Sequence, residues 1–259
     1  MGRGSSGAGT RAGGGGTASL PNVTNQVVPP TPQQVAKGDV LPKGGVAFKD
    51  FEKMTDDQKA DVIDKALHTG VPIFLDDSGL QRFAYFTGMS DKPKIVTDAQ
   101  LDNLMGHELF RTVNDAYNRR TDIGYTANDI VKQISSGDFT MYSDSGGSAY
   151  GKSIYFASSV GSSSSYAGRG ATMMRAKITD GKSISHNAIH NMFRTARARG
   201  DKLAVACSKA DSSSAVNLYA LAKGYDVITT HDYHMVLNRR CLSVSSQTKK
   251  NVTTRTRTW

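Results

Sequence analysis

Between Gly146 and Tyr166 the chain gathers residue types that suit the holding of a flat, polar ligand. The run Gly146-Gly-Ser-Ala-Tyr-Gly-Lys-Ser-Ile-Tyr-Phe-Ala157 joins glycines and small hydroxyl residues to a short apolar stretch, and the serines Ser162 to Ser165 lead on to Tyr166. A backbone that must come close to a ligand needs residues without bulky side chains. Tyr155 and Tyr166 add two rigid faces on which a ring could stack.

The same run fits a second pattern. Gly146-x-x-x-x-Gly151-Lys152-Ser153 satisfies the P-loop signature, which works when a glycine loop leaves a buried strand and opens into a helix whose N-terminus holds phosphates. Here Ser153 is followed by Ile-Tyr-Phe, a β-branched and aromatic run that favours a strand, and Gly146 is preceded by the polar Ser143-Asp144-Ser145. No later apolar run ending in Asp offers a magnesium-binding partner. A P-loop nucleotide-binding protein is therefore one alternative reading.

Residue types that carry other chemistry are sparse. Cys207 and Cys241 are too few for a disulfide framework, and no Cys/His cluster has metal-ligand spacing, so no metal is expected. His186 and His190 stand four apart in an expected helix with no acidic or cysteine partner nearby, and His231 and His234 lie in or beside a late strand. The net charge is +9 with a pI near 9.5. Lys249, Lys250, Arg255 and Arg257 give a basic end with no acid after Asp232, but the interleaved aromatics of a single-strand binding platform are absent there. A nucleic-acid function is not established by that tail.

The elements that would position the chemistry follow from caps, periodicity and breakers. Residues 1–45, with eight glycines in the first nineteen and Pro29, Pro30 and Pro32, read as a flexible tail. It has no apolar centre of a signal peptide, and no stretch reaches the ~20 apolar residues of a membrane span, so the expectation is a protein without a secretion signal or membrane partner. A helical preamble is expected over 46–105, with capping boxes at Thr55-Asp-Asp-Gln58 and Thr97-Asp-Ala-Gln100 and a helix from about Ser78 to Phe86 between them. From 106 to 246 strands are expected at Glu108–Val113, Phe139–Tyr142, Ile154–Ala157, Thr172–Ile178, Tyr225–Thr229, Tyr233–Leu237 and Cys241–Val244. Helices are expected at Ile130–Ser135, Ala188–Arg199 and Ser213–Lys223, the last two ended by Gly200 and Gly224. Connections this short favour an α+β domain of mostly antiparallel strands over a doubly wound one. Residues 247–259 form the basic tail.

With that order in place, residues 107 to 245 resemble an ADP-ribosyltransferase of the diphtheria-toxin and poly(ADP-ribose) polymerase branch. That branch carries Tyr-x-Phe-Gly-Lys-Gly-Ile-Tyr-Phe-Ala and a further Tyr about nine residues on. This chain has Ser148-Ala-Tyr-Gly-Lys-Ser-Ile-Tyr-Phe-Ala157 and Tyr166. The resemblance implies split antiparallel sheets and NAD as substrate. It implies that Tyr155 and Tyr166 sandwich the nicotinamide, that Ser163 bonds the carboxamide, that Thr112 offers its backbone to the same group, and that Arg111 holds the ribose or pyrophosphate. A fork-shaped permanent cation suits that last role, although Arg111 also reads as a surface strand charge.

At the last strand the chain departs from the family. Many active members place there a Glu that bonds the ribose hydroxyl and activates the acceptor, whereas the only glutamates here are Glu52 and Glu108. Matching Met235-Val236-Leu237 to the family's apolar strand puts Tyr233 at the Glu position and Asp232 one step off, on the opposite face unless a bulge turns it inward. The resemblance then implies transfer of single ADP-ribose units to an unknown acceptor, possible for a protein acceptor, and not chain elongation. A second reading is a catalytically idle member of the fold that packs into an assembly. Proteins of tailed bacteriophages have similar Gly-rich leaders and a similar Leu-Phe-Arg-Thr-Val-Asn-Asp segment, so the expected location is a virion, among phage structural proteins, or the host cytoplasm.

Overall fold

The computed structural model describes residues 41–69, 79–89, 93–113, 153–165, 171–246 and 249–250. Residues 1–40 of the expected leader, the helix Ile130–Ser135, the strand Phe139–Tyr142, the loop 146–152, Tyr166 and the basic residues beyond 250 lie outside them. Within them the chain is α+β. In chain order the elements are α1 Phe48–Phe51, α2 Asp56–Leu67, α3 Gly79–Thr87, β1 Lys94–Val96, α4 Asp98–Asp102, β2 Glu108–Val113, β3 Ile154–Ala157, α5 Val160–Ser164 and β4 Thr172–Ile178. They continue as β5 Ser183–Ser185, α6 His186–Ala198, α7 Lys202–Cys207, α8 Ser212–Ala222, β6 Val227–Thr229, β7 Tyr233–Val236, β8 Leu242–Ser245 and β9 Lys249–Lys250, with a 3-10 turn at Arg239–Cys241.

Local chemistry sets most helix ends. In both capping boxes the threonine hydroxyl accepts from the backbone N–H three residues on, while the glutamine carbonyl oxygen accepts from the threonine N–H, at 3.0 Å for Thr55 and 2.9 Å for Thr97. Asp201 and Asp211 cap α7 and α8 through the N–H groups of Ala204 and Ser214. Gly200 and Gly224 end α6 and α8 with φ of 74° and 83°, a conformation that a side chain would disfavour.

The strands form one hydrogen-bonded network in the order β1-β8-β4-β2-β3-β7-β6-β5, with β9 on β4. The pairs are antiparallel except β1·β8 and β5·β6, so the expected antiparallel character holds for most of the sheet. Its weak point is in the middle. β2 runs beside β4 over six residue pairs, from Glu108↔Lys177 to Val113↔Thr172, whereas β2 meets β3 only at Phe110↔Ala157. Among the described residues, the β1-β8-β4-β2 half and the β3-β7-β6-β5 half are therefore joined by a single bridge.

Two cores explain how both halves are buried. Leu109, Met174, Ala176, Leu242 and Val244 from one half share a cluster with Ile154, Phe156, Val227 and Val236 from the other. The opposite face of the second half, through Ile228 and Met235, joins a larger core with Ile189, Phe193, Leu203, Leu218 and Leu221 of the late helices. That larger core also contains Phe51, Ile63, Leu80 and Phe83 from α1 to α3. Lys59 ties the two sets together, its Nζ donating to the Ala222 carbonyl at the C-terminal end of α8 at 2.8 Å. The stretch expected to be a preamble is thus packed into the body of the fold. Its last part supplies a strand as well, since Lys94–Val96 pairs with Ser243–Ser245. No helix among the described residues is long and apolar enough to cross a membrane.

Candidate functional site

The junction between β2 and β3 brings the sequence-selected residues together. Among the described residues the β2·β3 ladder consists of Phe110↔Ala157. Arg111 Nη1 donates to Tyr155 O at 2.7 Å across 44 positions of sequence. This joins a permanent cation to the backbone that presents the Tyr155 ring.

Beside it, α5 carries the serine run. Ser159 caps the helix by accepting from Ser162 N–H at 3.1 Å, Ser164 donates to Val160 O at 2.7 Å, and Ser165 donates to Ser162 O at 2.7 Å. Those hydroxyls satisfy their own turn. Ser163 alone in the run is buried, and its Oγ lies 2.7 Å from Thr112 Oγ1, which is buried too. In such a pair one hydroxyl donates to the other, and the accepting hydroxyl keeps its own proton for a third group. If Thr112 donates, Ser163 retains a donor for a carbonyl oxygen of a ligand.

Strand alternation sorts the remaining groups. Ala157 pairs with Tyr233 and Tyr155 with Met235, so the side chains of Tyr155 and Tyr233 leave the sheet on one face, which Phe110 and Thr112 share. Arg111 pairs with Met174 and follows Leu109 by two, so it starts on the face of the smaller core, where Leu109 and Met174 lie, and reaches Tyr155 through its backbone, not through its ring. Asp232 stands in the β6–β7 turn. Its carbonyl accepts from Ser158 N–H at 2.9 Å, and its carboxylate lies 3.0 Å from His231 Nδ1 in an exposed pair. The turn itself is closed by Thr230 N–H donating to Tyr233 O at 2.8 Å and Tyr233 N–H donating to Thr230 Oγ1 at 3.0 Å. Tyr166 lies outside the described residues.

The two glutamates are engaged elsewhere. Glu52 pairs with Arg240 at 2.9 Å, and Glu108 pairs with Arg175 on β4. Among the described residues no cluster of three His, Cys, Asp or Glu side chains could hold a metal ion. The P-loop pattern lacks its helix, because Ile154–Ala157 following Ser153 is strand β3.

One residue set aside in the sequence reading sits close to this site. His234 faces Phe156 across the β3·β7 ladder, its Nε2 is 3.2 Å from Ser158 Oγ, and its Nδ1 is buried without a hydrogen-bond partner among the described residues. Burial holds its pKa below the usual imidazole value, and nearby His107 pushes the same way. On α6, burial and the neighbouring His190 lower His186 in the same sense. Both groups resist protonation in the folded state, so the unfolded chain binds more protons just below its ordinary imidazole pKa of 6.5. Stability should therefore hold at neutral pH and fall as the pH drops below that value. Thermal melts at neutral and mildly acidic pH should show a lower Tm in acid, and a His186→Gln/His234→Gln double variant should show a smaller drop. An equal acid drop in the double variant would remove these imidazoles from the account.

Comparisons of the chain with protein-family models, with curated proteins and with solved structures returned no match.

Proposed function

We propose that the protein is an NAD-dependent ADP-ribosyltransferase that transfers single units to an acceptor. The observation that carries the reading is the pair of contacts at the β2/β3 junction, Arg111 to Tyr155 and Thr112 to Ser163, which gathers four motif residues from three elements at one place. The donor set suits the chemistry. A nicotinamide ring needs a flat partner, supplied by Tyr155, and its carboxamide needs a hydroxyl or backbone donor, supplied by Ser163 and Thr112. The guanidinium of Arg111 acts from the other face of the sheet, holding the backbone that presents the Tyr155 ring.

In the reaction the bond between nicotinamide nitrogen and ribose breaks, and its electron pair leaves with nicotinamide. A lone pair of the acceptor forms the new bond to the sugar carbon, and the acceptor's proton passes to solvent. The sugar carries positive charge in between, so groups that hold nicotinamide and ribose in register lower the barrier by positioning. At the strand where many members of the family carry Glu, this chain presents Tyr233 on the face of Tyr155.

The engagement of both glutamates in ion pairs favours a second reading, an idle transferase fold that serves as an interaction protein, as in a phage virion. Incubation with NAD labelled on the adenylate, with and without a cell lysate, separates the two. Release of free nicotinamide and label on an acceptor is the expected result. Saturable NAD binding without nicotinamide release would transfer the assignment to the idle fold, and no NAD binding would end the transferase reading.

A further inference from the structure

We infer that α6 is a docking surface for the major groove of duplex DNA, a property independent of any NAD chemistry. The helix fully buries only Ile189 and Phe193 of its thirteen residues, half-covers His186, His190 and Ala196, and leaves the rest in solvent. From Gly181 to Gly200 there is no carboxylate, while Lys182, Arg194, Arg197 and Arg199 are present. The fold does not neutralise these arginines. Four carboxylates of the fold pair with other cations: Asp57 with Lys202, Asp64 with Lys209, Asp56 with Lys223 and Glu52 with Arg240. Among the described residues, Arg194, Arg197 and Arg199 take part in no ion pair. Like charges three apart on a helix repel, and a polyanion laid along them removes that cost.

The side chains fall into two parallel lines. His186, His190, Arg194 and Arg197 follow one another at helical spacing, and Asn187, Asn191 and Thr195 form the adjacent line. The imidazole rings of His186 and His190 lie stacked, 5.7 Å apart at 25°, as expected of neighbours on one line. At 1.5 Å per residue the charged line is about 16 Å long. A guanidinium fork pairs with phosphate or with a guanine edge, and an asparagine amide pairs with an adenine edge, so the two lines divide backbone and base contacts between them. Ala188 and Ala198 are exposed as well.

Shape selects the kind of nucleic acid. A helix about 10–12 Å across fits a major groove about 12 Å wide. The deep, narrow major groove of duplex RNA does not admit it. Single strands are bound mainly by stacking on exposed Phe, Tyr or Trp, and the one such residue of α6, Phe193, is buried.

The test is fluorescence anisotropy of the full chain with a short mixed-sequence DNA duplex, the matching RNA duplex and the single strand, titrated from low to physiological salt. The DNA duplex should bind best. An R194A/R197A/R199A variant should bind it about 10-fold or more weakly, and its slope of log K against log salt should be shallower by about 2.7, from three phosphate contacts at about 0.9 each. N187A/N191A should instead weaken discrimination between sequences with little change of slope. Circular dichroism should be unchanged in both, as these side chains are exposed. Equal binding by wild type and the triple arginine variant would overturn the assignment and shift any affinity to the basic C-terminal residues. Absence of duplex binding, or equal or better binding of RNA duplex or single strand, would overturn it too.

Discussion

Phe83→Ala should cost about 3–5 kcal/mol of folding stability, the range for truncating a fully buried aromatic. Phe83 is 1% exposed on α3, and its ring lies 4.8 Å from Phe51 at 66° and 6.4 Å from Phe48 at 80°, both edge-on arrangements. Removing it leaves a hole between three helices whose backbones are held in place from other sides. Lys59 fixes α2 to the end of α8, and Gly79 N–H donates to the Asp211 carboxylate at the start of α8 at 3.4 Å. Collapse into the hole is therefore limited, which places the cost high in the range. Because α1 to α3 share a core with α6 to α8, the loss should appear as one shifted unfolding transition. Urea titration followed by circular dichroism, with hydrogen exchange at β7 as a second probe, measures both points. A loss under about 1 kcal/mol, or an early transition confined to residues before 105, would show that the first helices are a separate unit. Ile95→Ala, at an exposed position on β1, should change stability by no more than about 0.5 kcal/mol.

What the sequence made legible is what local chemistry decides. The capping boxes at Thr55 and Thr97 start helices where they should, because the threonine and glutamine that form them are three residues apart and need no tertiary partner. Ile154–Ala157 and Thr172–Ile178 are strands with the expected limits, each an apolar, β-forming run bounded by polar or small residues. The elements that went unread are those that exist only through partners. Lys94–Val96 is three residues long and is a strand because Ser243–Ser245 lies beside it, and Ser183–Ser185 depends in the same way on Val227–Thr229. The helix Lys202–Cys207 is short and lacks a capping box, although Asp201 was a readable cap. The core shared by the first and last helices was equally out of reach, since Lys59 and Ala222 are 163 positions apart.

At the site the divide runs the same way. The types of Arg111, Thr112, Tyr155 and Ser163 were open to reading, and their pairing was not. The Thr112 contact uses a side-chain hydroxyl where the family resemblance offered a backbone group, and it spans 51 positions. Arg111 meets the Tyr155 carbonyl across the β2/β3 junction, a property of the sheet and not of either strand. Nothing local marks His234, a strand histidine whose inner nitrogen is buried without a partner among the described residues.

Tyr155→Ala should lower nicotinamide release from NAD by about 10–100-fold, since loss of an aromatic stacking face costs about 1–3 kcal/mol per ring stacked. The effect should fall mainly on kcat/KM, because a ring stacked on the leaving group would hold it in ground state and transition state alike. Tyr155→Phe keeps the flat face, and the Arg111 contact is to the backbone carbonyl, so this variant should retain activity within a few-fold. The pair of variants separates stacking from folding. Tyr155 is half-buried against the helical core, so the alanine variant also loses packing, and its melting temperature must be measured alongside. Activity lost in proportion to unfolded protein would mean only a structural role. Activity lost below the melting transition, with the phenylalanine variant active, is the expected result. Ser163→Ala should weaken NAD while Thr112→Val does so less, because valine removes the partner hydroxyl but leaves Ser163 able to donate to the carboxamide. If Tyr155→Ala releases nicotinamide as fast as the wild type, the ring does not touch the substrate and the transferase site is not at the β2/β3 junction.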